Sequence, residues 1–98
     1  MPLAQTSLPV PVSLSLTVPG AGRFRAIAAD VTVMLARQLG YSAADAWQIG
    51  KTFTEEASVV AEAEDAGDAL EISFTASDTQ LEIRVRCGGR TFSIVRPR

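Results

Sequence analysis

The sequence predicts an α+β two-layer sandwich: a mostly antiparallel four-stranded sheet covered on one face by two helices, in the order βααβββ. Three observations lead there. Apolar residues alternate with period two near the start of the chain and again through its last third, they recur at helical spacing in between, and glycines or short polar runs stand at each change of period. A chain of 98 residues with 47% hydrophobic and 20% charged residues suits one compact core. Residues 1–9 read as a flexible lead-in with two prolines and no period, and residues 10–98 as a single domain.

Val10, Val12, Leu14, Leu16 and Val18 alternate with Pro11, Ser13, Ser15 and Thr17, which marks a strand with one buried face. Pro11 cannot donate to a ladder, so this strand lies at an edge or begins near there. Pro19-Gly20-Ala21-Gly22 ends it. Phe24, Ile27, Ala28, Val31, Met34, Leu35 and Leu39 then follow helical spacing and are expected to form the core-facing stripe of a first helix. Gly40 supplies a left-handed stop, and Ser42 with Asp45 makes a capping-box-like start for a second helix. In that helix Ala46, Ile49, Gly50, Phe53, Ala57, Val60 and Ala61 share one stripe. Its end, near residues 63–67, is acidic, which is unfavourable for a helix C-terminus and predicts fraying. Leu70, Ile72 and Phe74, then Leu81, Ile83 and Val85, predict a hairpin turning at Ser77-Asp78-Thr79. Gly88-Gly89 turns the chain into a last strand, with Phe92 and Ile94 inward.

Composition excludes several kinds of chemistry. With no histidine and one cysteine there is no zinc constellation, no serine-histidine pair and no cysteine-histidine pair. Gly20-Ala21-Gly22 lacks the Lys-Ser/Thr continuation of a P-loop and reads as a strand-to-helix turn. The net charge of −2 hides an asymmetry: ten of the eleven acids lie between Asp45 and Glu82, and five of the nine basic residues lie from Arg84 onward. That balance argues against a nucleic-acid partner. The acidic run Glu62-Ala63-Glu64-Asp65 reads as a solvated helix end, with attraction of a basic partner as the other reading. No apolar run approaches the ~20 residues of a membrane span, and Met1 to Leu8 carry no positive charge, so neither a membrane anchor nor a signal peptide is expected. Cys87, the only cysteine, fits a small buried residue in a reducing, cytoplasmic setting.

Residues 29–61 and the hairpin over 70–89 carry a family likeness. Leu39-Gly40-Tyr41-Ser42 ends the first helix, Glu56-Ala57-Ser58-Val59-Val60-Ala61 lies on the second, and Leu81-Glu82-Ile83-Arg84-Val85-Arg86 leads to Gly89. In these stretches the chain resembles the anti-sigma-factor and serine-kinase branch of the histidine-kinase-like (GHKL) ATPases, as a degenerate and truncated member. That family's second helix carries Glu-Ala-x-x-Asn-Ala, with Glu linked to catalysis and Asn holding magnesium. Glu56 and Ala57 match, but Val60 stands at the Asn position, and the whole chain contains no asparagine. Magnesium requires oxygen ligands, which a hydrocarbon side chain does not offer. The family's Asp-x-Gly-x-Gly motif, whose Asp anchors adenine, corresponds to Cys87-Gly88-Gly89, and no aspartate follows Asp78. The later glycine-rich phosphate segment has no counterpart before Arg98.

The resemblance therefore implies a histidine-kinase-like fold with no catalytic residue, Glu56 being a vestigial candidate, and with no cofactor or metal. The expected function is that of a non-catalytic regulatory module binding a protein partner, either a sigma factor or an antagonist of an anti-sigma factor. A divergent ATP-binding serine/threonine kinase and a structural subunit completing a larger assembly are the alternatives. Trp47, about a third of a turn off the apolar stripe, is either a flank of the core or an exposed contact. With Arg84, Arg86 and Arg90 it makes the candidate partner surface, because aromatic residues and arginine are enriched at binding hot spots. The first strand carries no charge to discourage pairing, so a homodimer through Val12, Leu14 and Leu16 is expected. The resemblance implies dimerisation on the same side.

Overall fold

The computed structural model describes residues 11–63 and 69–98. Its elements are β1 (Val12–Pro19), α1 (Gly22–Gln38), α2 (Ala43–Ala63), β2 (Ala69–Ala76), β3 (Gln80–Cys87) and β4 (Arg90–Pro97). All strand pairs are antiparallel and the sheet order is β1-β2-β3-β4. The helices lie on one face, α1 over β1 and α2 over β3 and β4. This is the expected α+β sandwich. The lead-in at residues 1–9, with Val10, and the acidic stretch after Ala63 lie outside the described residues.

Period-two alternation decides which face of the sheet is buried. Leu70, Ile72, Phe74 and Ala76 of β2 and Leu81, Ile83, Val85 and Cys87 of β3 turn toward the helices and are buried. Ile94 of β4 joins them, with Phe92 half-buried. From above, α2 inserts Ala46, Ile49, Phe53, Ala57, Val60 and Ala61, the stripe its spacing predicts. The other face of the sheet carries no helix and is hydroxyl-rich: Ser13, Ser15 and Thr17 of β1 lie in register with Thr75, Ser73 and Glu71 of β2.

The expected stripe of α1 holds in part: Ala28 is buried and Phe24, Val31, Leu35 and Leu39 pack against the core, but Ile27 and Met34 do not. Ala28, Thr32 and Ala36 form the buried column, while Ile27 is 50% and Met34 66% exposed. Small side chains let α1 settle against the sheet and α2, and close packing favours them over larger residues at the point of contact. Thr32 fits this column because its hydroxyl donates to the Ala28 carbonyl at 2.9 Å. Gly50 marks the close approach of the helices, since a Cβ there would run into the side chain of Val33.

Local signals set the turns. Gly40, at φ 102°, ends α1 in a Schellman motif: the Tyr41 N–H donates to Ala36 O at 3.1 Å and the Gly40 N–H to Arg37 O at 3.0 Å. Ser42 Oγ accepts the Asp45 N–H at 3.1 Å and caps α2. Gly88 takes φ 59° in the two-residue link between β3 and β4, where a positive φ at the first central position suits a II′ hairpin. β1 begins immediately after Pro11 and is an edge strand.

Candidate functional site

The positions at which the resemblance would put nucleotide chemistry are parts of the core. Val60 is 7% exposed and packs with the buried residues of α2 and the sheet; Cys87, at the end of β3, is 1% exposed. Glu56, one turn before Val60, is exposed, and its neighbour Ala57 is fully buried. Among the described residues no three His, Cys, Asp or Glu side chains gather as metal ligands. A branched hydrocarbon and a buried thiol in these places do not fit magnesium or the adenine amino group.

The four residues expected to form a partner surface are divided between two faces. Trp47 stands on the outer side of α2, 57% exposed, with Lys51 Nζ 5.3 Å from its ring centroid. Arg84 and Arg86 point from β3 into the open face of the sheet, and both meet carboxylates of the sheet itself. Arg86 pairs with Glu71, its direct cross-strand partner, at 3.1 Å, and Arg84 with Glu82 at 3.2 Å. A shallow depression lined by Ser73, Thr75, Glu82 and Arg84 lies beside them. Arg90 is exposed where the chain re-enters β4. Exposed ion pairs of this kind contribute about 0–1 kcal/mol, so the open face is a solvated surface with most of its charge internally matched.

Val12, Leu14 and Leu16 occupy the edge of the sheet on the helix side. Val12 and Leu16 are half-buried, and Leu14 is 42% exposed. α1 carries exposed apolar residues of its own. Ala29 and Val33 of α1 face Gly50 of α2, and Ala28, Thr32 and Ala36 face the core. Ile27 and Met34 consequently lie away from both, while Val31 is half-buried against the core, and α1 packs against β1. Leu14 on the edge strand and Ile27 and Met34 on the helix that packs against it are the exposed large apolar residues of these two elements.

One end of the molecule holds a polar cluster that joins residues far apart in sequence. The Tyr41 hydroxyl donates a shared hydrogen bond to Arg96 O at 3.1 Å and Pro97 O at 2.9 Å. Arg98 donates from Nη1 to Ser77 O at 2.8 Å and from Nη2 to Leu39 O at 2.9 Å, tying the end of α1 to the turn between β2 and β3. Partial burial pushes the Tyr41 phenol above its ordinary value, with Arg98 and Arg96 pulling it down and Asp45 pushing it up. No spacing in the sequence signals these contacts.

No protein-family model and no curated protein matches the chain.

Proposed function

We propose that this chain is a non-catalytic regulatory module that works by binding another protein, in the manner of the anti-sigma factors it resembles. The observation that carries the reading is that Val60 and Cys87, where a GHKL ATPase would hold magnesium and adenine, are buried in the apolar core. What remains is a scaffold whose β1 edge carries no charge and leaves Leu14 exposed. A sigma factor, or an antagonist that releases one, is the class of partner the resemblance supports. The single, buried cysteine favours a cytoplasmic setting, which cell fractionation reads directly. No helix among the described residues is long and apolar enough to cross a membrane.

Calorimetric titration with magnesium ATP tests the non-catalytic part. Charge-assisted contacts contribute about 1.5–3 kcal/mol each, so losing the metal ligand and the adenine anchor together removes most of a micromolar affinity. No binding is expected; a dissociation constant below ~100 μM would overturn the reading.

The flank formed by β1 and α1 supports a second proposal, a symmetric homodimer. Eight uncharged strand residues leave half their backbone groups unpaired at the edge, and exposed Leu14, Ile27 and Met34 lie alongside. Pairing β1 with its two-fold mate would satisfy the backbone groups and bring the two α1 helices together. A flank of roughly 26 by 20 Å covers on the order of 1,000 Å² over two copies, where specific interfaces begin.

A further inference from the structure

The arginines singled out by sequence are largely spent on carboxylates of their own sheet, but other cations are not. Arg37, Lys51, Arg96 and Arg98 form no ion pair among the described residues, and neither do Arg23 and Arg25 near the start of α1. Arg37 donates to Tyr41 O at 3.3 Å, Arg96 to Val95 O at 3.3 Å, and Arg98 to Ser77 O and Leu39 O, while Lys51 sits over the Trp47 ring. Carbonyl oxygens and a π-face satisfy donors without cancelling charge. Among the described residues the buried Nε of Arg98 has no acceptor.

Arg37, Arg96 and Arg98 belong to one end of the molecule, and Lys51 reaches toward it over the Trp47 ring. The antiparallel helices bring Gly50 level with Val33, so Trp47 and Arg37, each about one turn further on, come level with one another. Tyr41, in the turn that follows Arg37, holds Arg96 and Pro97 through its hydroxyl, and Arg98 grips Leu39 just before that turn. The charges opposing them there are Asp45, at the start of α2, and Asp78, between β2 and β3. The other acids of the described residues lie further along the helices or on the open sheet face, so an acidic chain presents a basic, aromatic end.

We propose that this end, built from Arg37, Tyr41, Trp47, Lys51 and Arg96, is the docking site for an acidic peptide segment of the partner protein. Charge complementarity selects the occupant: Arg37, Lys51 and Arg96, with Arg98 beside them, outnumber Asp45 and Asp78 at this end and attract carboxylates, and the two aromatic rings add apolar contact. Arg98 holds the platform together, since its guanidinium joins the helix turn to the sheet. The inference deepens the reading of the chain as a protein-binding module and rests on it. Its test is separate, because an ATP titration that overturned that reading would leave the peptide result standing.

Trp47 is the only tryptophan, so its emission reports the site directly in the full chain. Titration with hexaglutamate at about 20 mM salt is expected to give a saturable change in that emission, weakening at about 200 mM salt as the Debye length falls to roughly 7 Å. An Arg37→Glu, Arg96→Glu double variant is expected to bind at least about tenfold more weakly. An Arg23→Glu, Arg25→Glu control changes the total charge equally but lies about 20 Å away along α1, and is expected to stay within about twofold. Lys51→Glu reads the same site if the double variant loses its fold. The proposal is overturned by an unchanged Trp47 signal, by equal weakening in both double variants, or by inorganic phosphate reproducing the change, which would mark a site for small anions.

Discussion

Val60 and Tyr41 show how much one side chain decides in this molecule. Val60 lies in the core, so Val60→Asn is expected to lower the urea midpoint by the equivalent of about 1–3 kcal/mol, from an amide buried without partners, and to restore no ATP binding. An unchanged midpoint would mean the amide is solvated and the core looser than described. Tyr41 predicts a pH dependence. Its folded pKa is raised by burial, with Arg98, Arg96 and Asp45 adjusting it, so the folded state keeps the phenol proton where the unfolded state releases it. Stability from this group is complete below about 10 and is lost as pH rises through the folded value. Tyr41 is the only tyrosine, so phenolate absorbance follows it directly, and it should ionise at higher pH in the folded chain than after unfolding in urea. Coincident titrations would contradict the assignment. The burial of Val60 was legible in the sequence because it falls on the apolar stripe of α2. The Tyr41 contact was not, since its partners lie more than fifty residues away.

At the scale of elements, alternation and capping made β2, β3, β4 and α2 legible, because one face of each is buried and the pattern records it. α1 defeats the same logic. Its apolar residues cover more than one face, so the expected stripe took in Ile27 and Met34, which are exposed, together with Ala28, which is buried, and missed Thr32 and Ala36. The small-residue spacing of i, i+4, i+8 was the signal for the correct phase. Gly50 tests how tight the helix contact is. Alanine is a better helix former by about 1 kcal/mol, but here its methyl group meets Val33, whose β-branched side chain has little rotamer freedom. Gly50→Ala is therefore expected to lower the melting temperature, with overpacking of about 1–3 kcal/mol outweighing the propensity gain. A higher melting temperature would show that the helices can separate slightly without loss.

For the whole molecule, the helix layer covers one face of the sheet and leaves β1 as an uncharged edge with Leu14 exposed. Light scattering is expected to give a dimeric mass for the intact chain and a monomeric mass for Leu14→Lys, whose charge would stand at the strand edge. A monomeric intact protein sinks the dimer; a dimeric, folded variant moves the interface elsewhere. Sequence alone reached the edge strand, through its lack of charge, but only the phase of α1 reveals that Ile27 and Met34 are exposed on the helix that packs against it. The basic end was hidden for a related reason, because charge pairing within the sheet is decided by register. Cys87 gives the architecture an experimental use. Sealed at the end of β3 and the only thiol in the chain, it is out of reach of modifying reagents while the sheet is intact. The rate at which such a reagent finds it clocks the opening of the sheet, so the protein carries its own stopwatch for how often its core breathes.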